Sequence, residues 1–243
     1  MPYITVLLNQ KGGVGKSLTT VNLAAVYAEI LGCKEDDATV AVVSIDPQAT
    51  SVEHAEAVRK AGRTVPFKVV NAKNNVAQLG KLRRAKADII IVDTPGFMPL
   101  NDEDDESIDP LGDGTVGDSL RAVLDAADDV IVPLPAEGAA FRPTRTTIER
   151  VLMPRQIPYG VLVSWDPRDG KADLERTQSL INRRGWDMYN ATVRHYKPHT
   201  RGIISGRFCT QYESNPIALK AKADFQSLAL EHQMRRQKYA GAR

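Results

Sequence analysis

At 243 residues, with 42% of positions hydrophobic, the chain is long enough for one α/β core. No apolar run approaches the ~20 residues that span a bilayer, and the N-terminus carries no signal peptide, so a cytoplasmic protein is expected. Cys33, Cys209 and four scattered histidines lack metal or redox spacing. The net charge of +2 is uneven: from Arg183 onward twelve Lys/Arg face four Asp/Glu, or +8, leaving 20 against 26, or −6, elsewhere, so a polyanionic partner is expected for the C-terminal part, residues 183–243.

The first predicted element is a strand from Ile4 to Leu8. It runs into Asn9-Gln-Lys-Gly-Gly-Val-Gly-Lys-Ser-Leu-Thr-Thr20, and a helix follows over Ser17 to Leu31. Strand, glycine-rich loop and helix in that order bind phosphate. Gly12, Gly13 and Gly15 have no Cβ, so the backbone can curl with its N–H groups turned inward on an anion. Lys16 supplies a point charge for the β- and γ-phosphate oxygens of ATP. Ser17 offers a hydroxyl to Mg²⁺, and the helix adds its positive dipole end. The pattern G-x-x-x-x-G-K-[ST] does not fit unaltered, because its first glycine falls on Gln10. The segment reads instead Lys11-Gly-Gly-Val-Gly-Lys16-Ser17, with a second, early lysine. The predicted nucleotide contacts are Lys11, Gly12, Gly13, Val14, Gly15, Lys16, Ser17 and Leu18.

Thr39 to Ile45 is an apolar, β-branched run, read as a buried parallel strand that ends in Asp46-Pro-Gln. A carboxylate at the carboxyl end of a strand beside the phosphate loop sits where ligands bind in open α/β sheets. Ser51 to Ala61 then reads as a helix with Ser51 as a candidate N-cap, Phe67 to Asn71 as a strand and Val76 to Arg84 as one helix. Asp88 to Asp93 is an apolar strand ending in a carboxylate, followed by Thr94-Pro-Gly96. This Walker B pattern makes Asp93 a Mg²⁺ ligand, direct or through water, and gives the loop at Gly96 freedom to respond to the γ-phosphate.

Asn101 to Asp118 holds eight acids and no Lys or Arg, and is expected to be a solvated acidic loop that repels DNA or docks a basic partner. It lacks the turn glycine of an EF-hand, which argues against calcium. Ser119 to Ala127 is predicted helical, Asp129 to Leu134 a strand, Phe141 to Leu152 helical, Tyr159 to Trp165 a strand and Ala172 to Arg184 a helix. Ala191 to Val193 reads as the last strand and Pro216 to Gln237 as the last helix. Between them, basic residues interleave with aromatics in Arg194-His-Tyr-Lys-Pro-His-Thr-Arg201, which suits a nucleic-acid surface. The predicted DNA contacts are Arg194, Lys197, Arg201, Arg207, Lys220, Lys222, Arg235 and Arg236.

The two-lysine loop, the strand ending in Asp46-Pro-Gln and the strand ending in Asp93 together resemble the deviant Walker A ATPases of the ParA/MinD/nitrogenase-iron-protein superfamily. The nearest type is the small partition ATPase with no helix-turn-helix before the loop. The resemblance implies an α/β P-loop fold, a predominantly parallel twisted sheet flanked by helices, with residues 1–243 forming one ATPase domain. Lys11 is then the lysine that reaches across a nucleotide-sandwich homodimer to the partner's phosphates. Lys11, Lys16 and Asp46 become the catalytic set, with Asp46 positioning the attacking water, and Ser17, Asp46 and Asp93 surround Mg²⁺. Ser44 stands where the family carries a further acid. Ser164, Asp166 and Pro167 match the segment that recognises adenine. The implied activity is ATP-dependent dimerisation, non-specific DNA binding on the nucleoid, and hydrolysis stimulated by a centromere-binding, ParB-like adaptor. Two rival readings remain: a MinD-like membrane-surface ATPase, and a relative that positions cargo other than DNA. For the first, Phe225, Leu228 and Met234 hint at an apolar helix face, but Gln226, His232 and Gln233 dilute it.

Overall fold

The structure, a computed structural model, describes residues 1–34, 36–73, 75–97, 108–168 and 170–240. Seven short apolar segments form the sheet: β1 (Tyr3–Leu7), β2 (Val40–Ser44), β3 (Lys68–Asn71), β4 (Ile89–Asp93), β5 (Asp129–Pro135), β6 (Tyr159–Trp165) and β7 (Val193–Arg194). Their order is β3-β2-β4-β1-β5-β6-β7, and every pairing is parallel. Parallel strands must be joined by crossovers, and helices supply them: α1 (Lys16–Ile30), α2 (Thr50–Lys60), α3 (Val76–Leu79), α4 (Gly114–Ala126), α5 (Gly138–Arg145) and α6 (Lys171–Arg184); α7 (Lys197–Ser205) and α8 (Pro216–Ala240) follow the last strand.

Because side chains alternate along a strand, the sheet separates two cores. Ile4 and Val6 of β1 join Val92, Val130 and Val132 beneath α4, α5 and α6. Leu7 joins Val42, Ile91 and Ile131 beneath α1, α2 and α8. Helices on both faces explain why the strands read as continuous apolar runs rather than as alternating ones. The sheet is sealed at its centre by buried polar contacts. His232 of α8, fully buried, bonds the Tyr27 hydroxyl (2.6 Å), Asp129 Oδ2 (3.0 Å) and Thr5 Oγ1 (3.1 Å), fastening the last helix to α1, β5 and β1.

Three expectations need correction. The helix foreseen over Val76 to Arg84 is broken: Asn75 caps a four-residue α3, and beyond Gly80 the chain makes only a 3-10 turn over Leu82–Arg84. Gly80 interrupts the helical run, and glycine in a helix interior is costly. The acidic loop does not extend to Asp118, since α4 begins at Gly114; residues 101–107 of that stretch lie outside the described residues. Within the described part Arg121 pairs with both Asp109 and Asp118, so these two acids are neutralised locally. The helix placed at Phe141 starts at Gly138 and continues past Arg145 as a π-helical segment, Thr146–Leu152. The basic-aromatic stretch after Arg194, left without an assigned element above, forms α7 from Lys197 onward.

Candidate nucleotide site

The phosphate loop leaves the carboxyl end of β1 at the centre of the sheet. Gly13 (φ 75°) and Gly15 (φ 90°) hold left-handed backbone that a side chain would strain. A Cβ added at Gly12, Gly13 or Gly15 would meet nothing within 4 Å, so the loop faces an open cradle. Helix α1 starts there with no side-chain cap and no acid in its first turn, leaving its leading N–H groups for a ligand. Lys16 is buried, 6% exposed, and folds back on the loop: its Nζ donates to the carbonyls of Asn9 (3.1 Å) and Lys11 (3.0 Å). Burial pushes its ammonium pKa down, and the carboxylates of Asp93 and Asp46 push it back up.

Asp93 closes β4 beside the loop, in register with Leu7 of β1 and Ser44 of β2. It is fully buried, and neither carboxylate oxygen has a hydrogen bond of good geometry. Burial raises its pKa to about 6; the hydroxyls of Ser51 and Ser17 and the Lys16 ammonium lower it, while Asp46 raises it further. Buried carboxylates are ordinarily paired or bound to a metal. An orphaned carboxylate faced by two hydroxyls, one from the loop-proximal Ser17, has the hard oxygen donors that Mg²⁺ prefers. The residues present therefore fit Mg²⁺.

Asp46 follows β2, half-buried, and its Oδ1 accepts the backbone N–H of Gln48 (2.9 Å). It does not cap α2, whose N-cap is the left-handed Ala49, and Ser51 sits inside that helix with its Oγ buried and unpartnered. The Ser44 hydroxyl is likewise buried without a partner. Gly96 has a role beyond loop freedom: a Cβ there would lie 2.8 Å from the Gln10 carbonyl and 3.1 Å from Gly12 N, so the segment after Asp93 packs its backbone directly on the phosphate loop. Phe97 N–H completes that contact on Gln10 O (3.1 Å).

Sequence reasoning missed a brace under the loop. Buried Asn9 donates to Pro133 O and Thr144 Oγ1 (2.8 Å each), and its Oδ1 accepts Lys11 N–H (2.9 Å). Gln10 N–H donates to Thr147 Oγ1 (3.0 Å). The signal was present: threonines at 144, 146 and 147 interrupt an otherwise apolar helix face, and all three are buried. Lys11 itself is half-buried, and its side chain lines a cavity of about 980 Å³ bounded by Gly96, Phe97, Leu111 and Arg142.

The other expected residues lie further away. Ser164 stands at the carboxyl end of β6, two strands from β1, with its hydroxyl buried and unpartnered. Asp166 and Pro167 follow, and the Arg168 fork on Asp166 holds that carboxyl well below the usual range. The basic C-terminal set divides. Arg194 forks onto Asp224, Arg207 pairs with Glu213 and Lys222 pairs with Glu29. Arg235 pairs with Asp187 and Glu231 over the Tyr189 ring, and Arg236 lies over Tyr3 and Tyr27. Lys197, Arg201 and Lys220 are exposed and, among the described residues, outside any ion pair. No helix of the described residues is long and apolar enough to cross a membrane.

Comparison with known proteins agrees with this geometry. The chain is 30% identical over 232 residues, 95% of its length and 94% of the relative's, to maintenance of carboxysome distribution protein A of Gloeobacter kilaueensis. Its fold matches the MinD septum site-determining protein of Pyrococcus horikoshii in complex with Mg-ADP (TM-score 0.66, 17% identity, 96% of each chain). It also matches an ATP complex of a Cyanothece McdA variant (TM-score 0.61, 13% identity, 94% of this chain and 96% of that one). The model of the CobQ/CobB/MinD/ParA nucleotide-binding domain matches residues 5–208. The chain belongs to that family, as a ParA/MinD-type ATPase whose cofactors are ATP and Mg²⁺.

Proposed function

We propose that this protein is an ATP-gated positioning ATPase, which dimerises with ATP, binds DNA without sequence preference and moves cargo through an adaptor that triggers hydrolysis. The observation that carries the reading is the contrast between the two loop lysines. Lys16 is satisfied by loop carbonyls. Lys11 instead lines a cavity, and in this reading it reaches from there towards a second copy of the chain.

In this reading Lys16 moves from the Asn9 and Lys11 carbonyls to phosphate oxygens. The glycine backbone and the first turn of α1 hold the remaining phosphate charge. Ser17 and Asp93 would hold Mg²⁺, with Asp46 beside them, and the ion would supply neutralising charge to the phosphates. Asp46, fixed by Gln48 N–H, orients the attacking water, and Lys11 reaches across to the partner's phosphates. Ser164, Asp166 and Pro167 receive the adenine at the end of β6.

The relative named for carboxysome distribution supports a cargo other than DNA; in this reading the nucleoid is the matrix, and an adaptor takes the role that a ParB-like protein plays for plasmids. The membrane reading has less support. The exposed apolar residues of α8 are Ile217, Leu219, Leu230 and Met234; Leu230 and Met234 stand one turn apart, but Lys220, Gln226 and Gln233 interrupt any longer apolar face. Asp46→Ala should bind ATP and remain dimeric on DNA while hydrolysis falls at least tenfold. Sedimentation with random duplex DNA against anionic liposomes, with ATP or ADP, checks it; hydrolysis at the parent rate, or ATP-dependent capture by liposomes alone, contradicts the reading.

A further inference from the structure

Residues 57–87 contain nine Lys/Arg, namely Arg59, Lys60, Arg63, Lys68, Lys73, Lys81, Arg83, Arg84 and Lys86, and no Asp or Glu. That stretch is more densely basic than the C-terminal part. It is hidden in the overall balance because the acids of 101–118 fall in the same half of the chain. The fold gathers it at one edge of the sheet. Strand β3 is the end strand, and Lys68 opens it. Lys81, Arg84 and Lys86 lie on the short connection that replaces a full helix before β4. Together with Lys68 they rim one concavity of about 550 Å³, floored by Val43, Val70, Leu79 and Leu82.

Lys68, Lys73, Lys81, Arg84 and Lys86 are all exposed, and none forms an ion pair or a side-chain hydrogen bond among the described residues. Arg83 is the exception, since it forks onto Asp128. The C-terminal candidates present the opposite picture, with four of eight held by carboxylates and Arg236 laid over two tyrosine rings. A cation already paired within the fold must break that pair before it can neutralise a phosphate, whereas an unpaired one need not. Like charges gathered without counter-charge repel one another and gain most from a polyanion.

We propose that the β3 edge, through Lys68, Lys73, Lys81, Arg84 and Lys86, is a principal phosphate-contacting surface for DNA, acting with Lys197, Arg201 and Lys220 rather than with the paired arginines. The inference rests on the DNA-binding reading given above and adds the place. Lys68 and Lys86 stand at or before the amino ends of β3 and β4. These ends are opposite the carboxyl ends that carry the phosphate loop, Asp46 and Asp93, so DNA held there would not compete with nucleotide; Lys73, two residues past the carboxyl end of β3, extends the surface towards the other rim. Flexible lysines around an apolar floor offer point charges and no base-edge reader, which suits sequence-independent contact.

The test is fluorescence anisotropy of labelled random duplex DNA with ATP and Mg²⁺ across a salt series, using the full chain. Lys81→Glu/Arg84→Glu/Lys86→Glu should weaken binding at least tenfold at low salt. The log K against log [salt] slope should become shallower by about 0.9 for each phosphate contact removed. Arg83 is left in place because it braces Asp128. If charge reversal disturbs ATP-driven dimerisation, the milder Lys81→Gln/Arg84→Gln/Lys86→Gln variant decides, with a smaller loss in the same direction. A parent that binds DNA alongside a variant with unchanged affinity and slope overturns this surface, and would leave it to an acidic protein segment. A parent that binds no DNA overturns the DNA reading of the previous section instead.

Discussion

Asp93 is fully buried at the end of β4 with both carboxylate oxygens unpartnered, and its pKa is raised from 3.8 to about 6. A folded pKa above the unfolded one favours the fold while the group is protonated, and that contribution is lost as pH rises through about 6. Above that pH the nucleotide-free protein carries a buried charge that Ser51, Ser17 and Lys16 offset only in part and that a bound cation would satisfy. Asp93→Asn should therefore raise the melting temperature of the nucleotide-free protein at pH 8, by on the order of 1–3 kcal/mol of stability, or about 2–4 °C per kcal/mol at this chain length. The gain should shrink as pH falls towards about 4, while Mg²⁺-dependent ATP hydrolysis is lost. Differential scanning calorimetry at two pH values, with a phosphate-release assay, checks both halves. A variant less stable than the parent at pH 8 would show that the carboxylate is satisfied within the fold.

Among the elements, the segment Gly138–Leu152 is more than a layer of the core. Its proline at 143 lies inside α5, and the chain passes into π-helical turns just where Thr144 and Thr147 meet Asn9 and Gln10. π-helical turns are frequent at functional sites. Thr147→Val would leave Gln10 N–H buried without an acceptor, a loss of about 1–3 kcal/mol, borne by the phosphate loop rather than by the core. It should reduce affinity for a fluorescent ATP analogue several-fold with little change in far-UV circular dichroism, and Thr147→Ser should restore it. Equal binding by all three proteins would remove this coupling. The strands and the loop were legible in the sequence because each is a local signal: an apolar β-branched run, or glycines before Lys16. The brace was not, since its bonds from Asn9 and Gln10 to Pro133, Thr144 and Thr147 join residues 124 to 137 positions apart. Helix α7 carried a legible sign that composition masked, with Pro198 in its first turn and the left-handed Gly206 just past its end. The Val76 to Arg84 helix misled because its periodicity ignored Gly80.

At the scale of the whole molecule, the parallel sheet brings the carboxyl ends of β1, β2 and β4 to one rim, so Lys16, Asp46 and Asp93 converge although 77 residues separate the first from the last. The exposed cations assigned above to DNA lie at other places: the β3 edge, α7 and the start of α8. A monomer offers each basic surface once, and a dimer offers it twice, so nucleotide-driven pairing would convert weak phosphate contacts into durable DNA binding. That conversion depends on Lys11. Its side chain lines a cavity, while its own backbone N–H and carbonyl are already held by Asn9 and Lys16. Sedimentation velocity of the full chain with ATP and Mg²⁺, using Asp46→Ala to suppress turnover, measures the claim directly. The Asp46→Ala protein should sediment as a dimer with ATP and as a monomer with ADP. Adding Lys11→Ala should abolish the dimer while leaving ATP bound, and Lys16→Ala should lose ATP altogether. A Lys11→Ala protein that still dimerises with ATP, or an Asp46→Ala protein whose association ignores the nucleotide, would contradict the account.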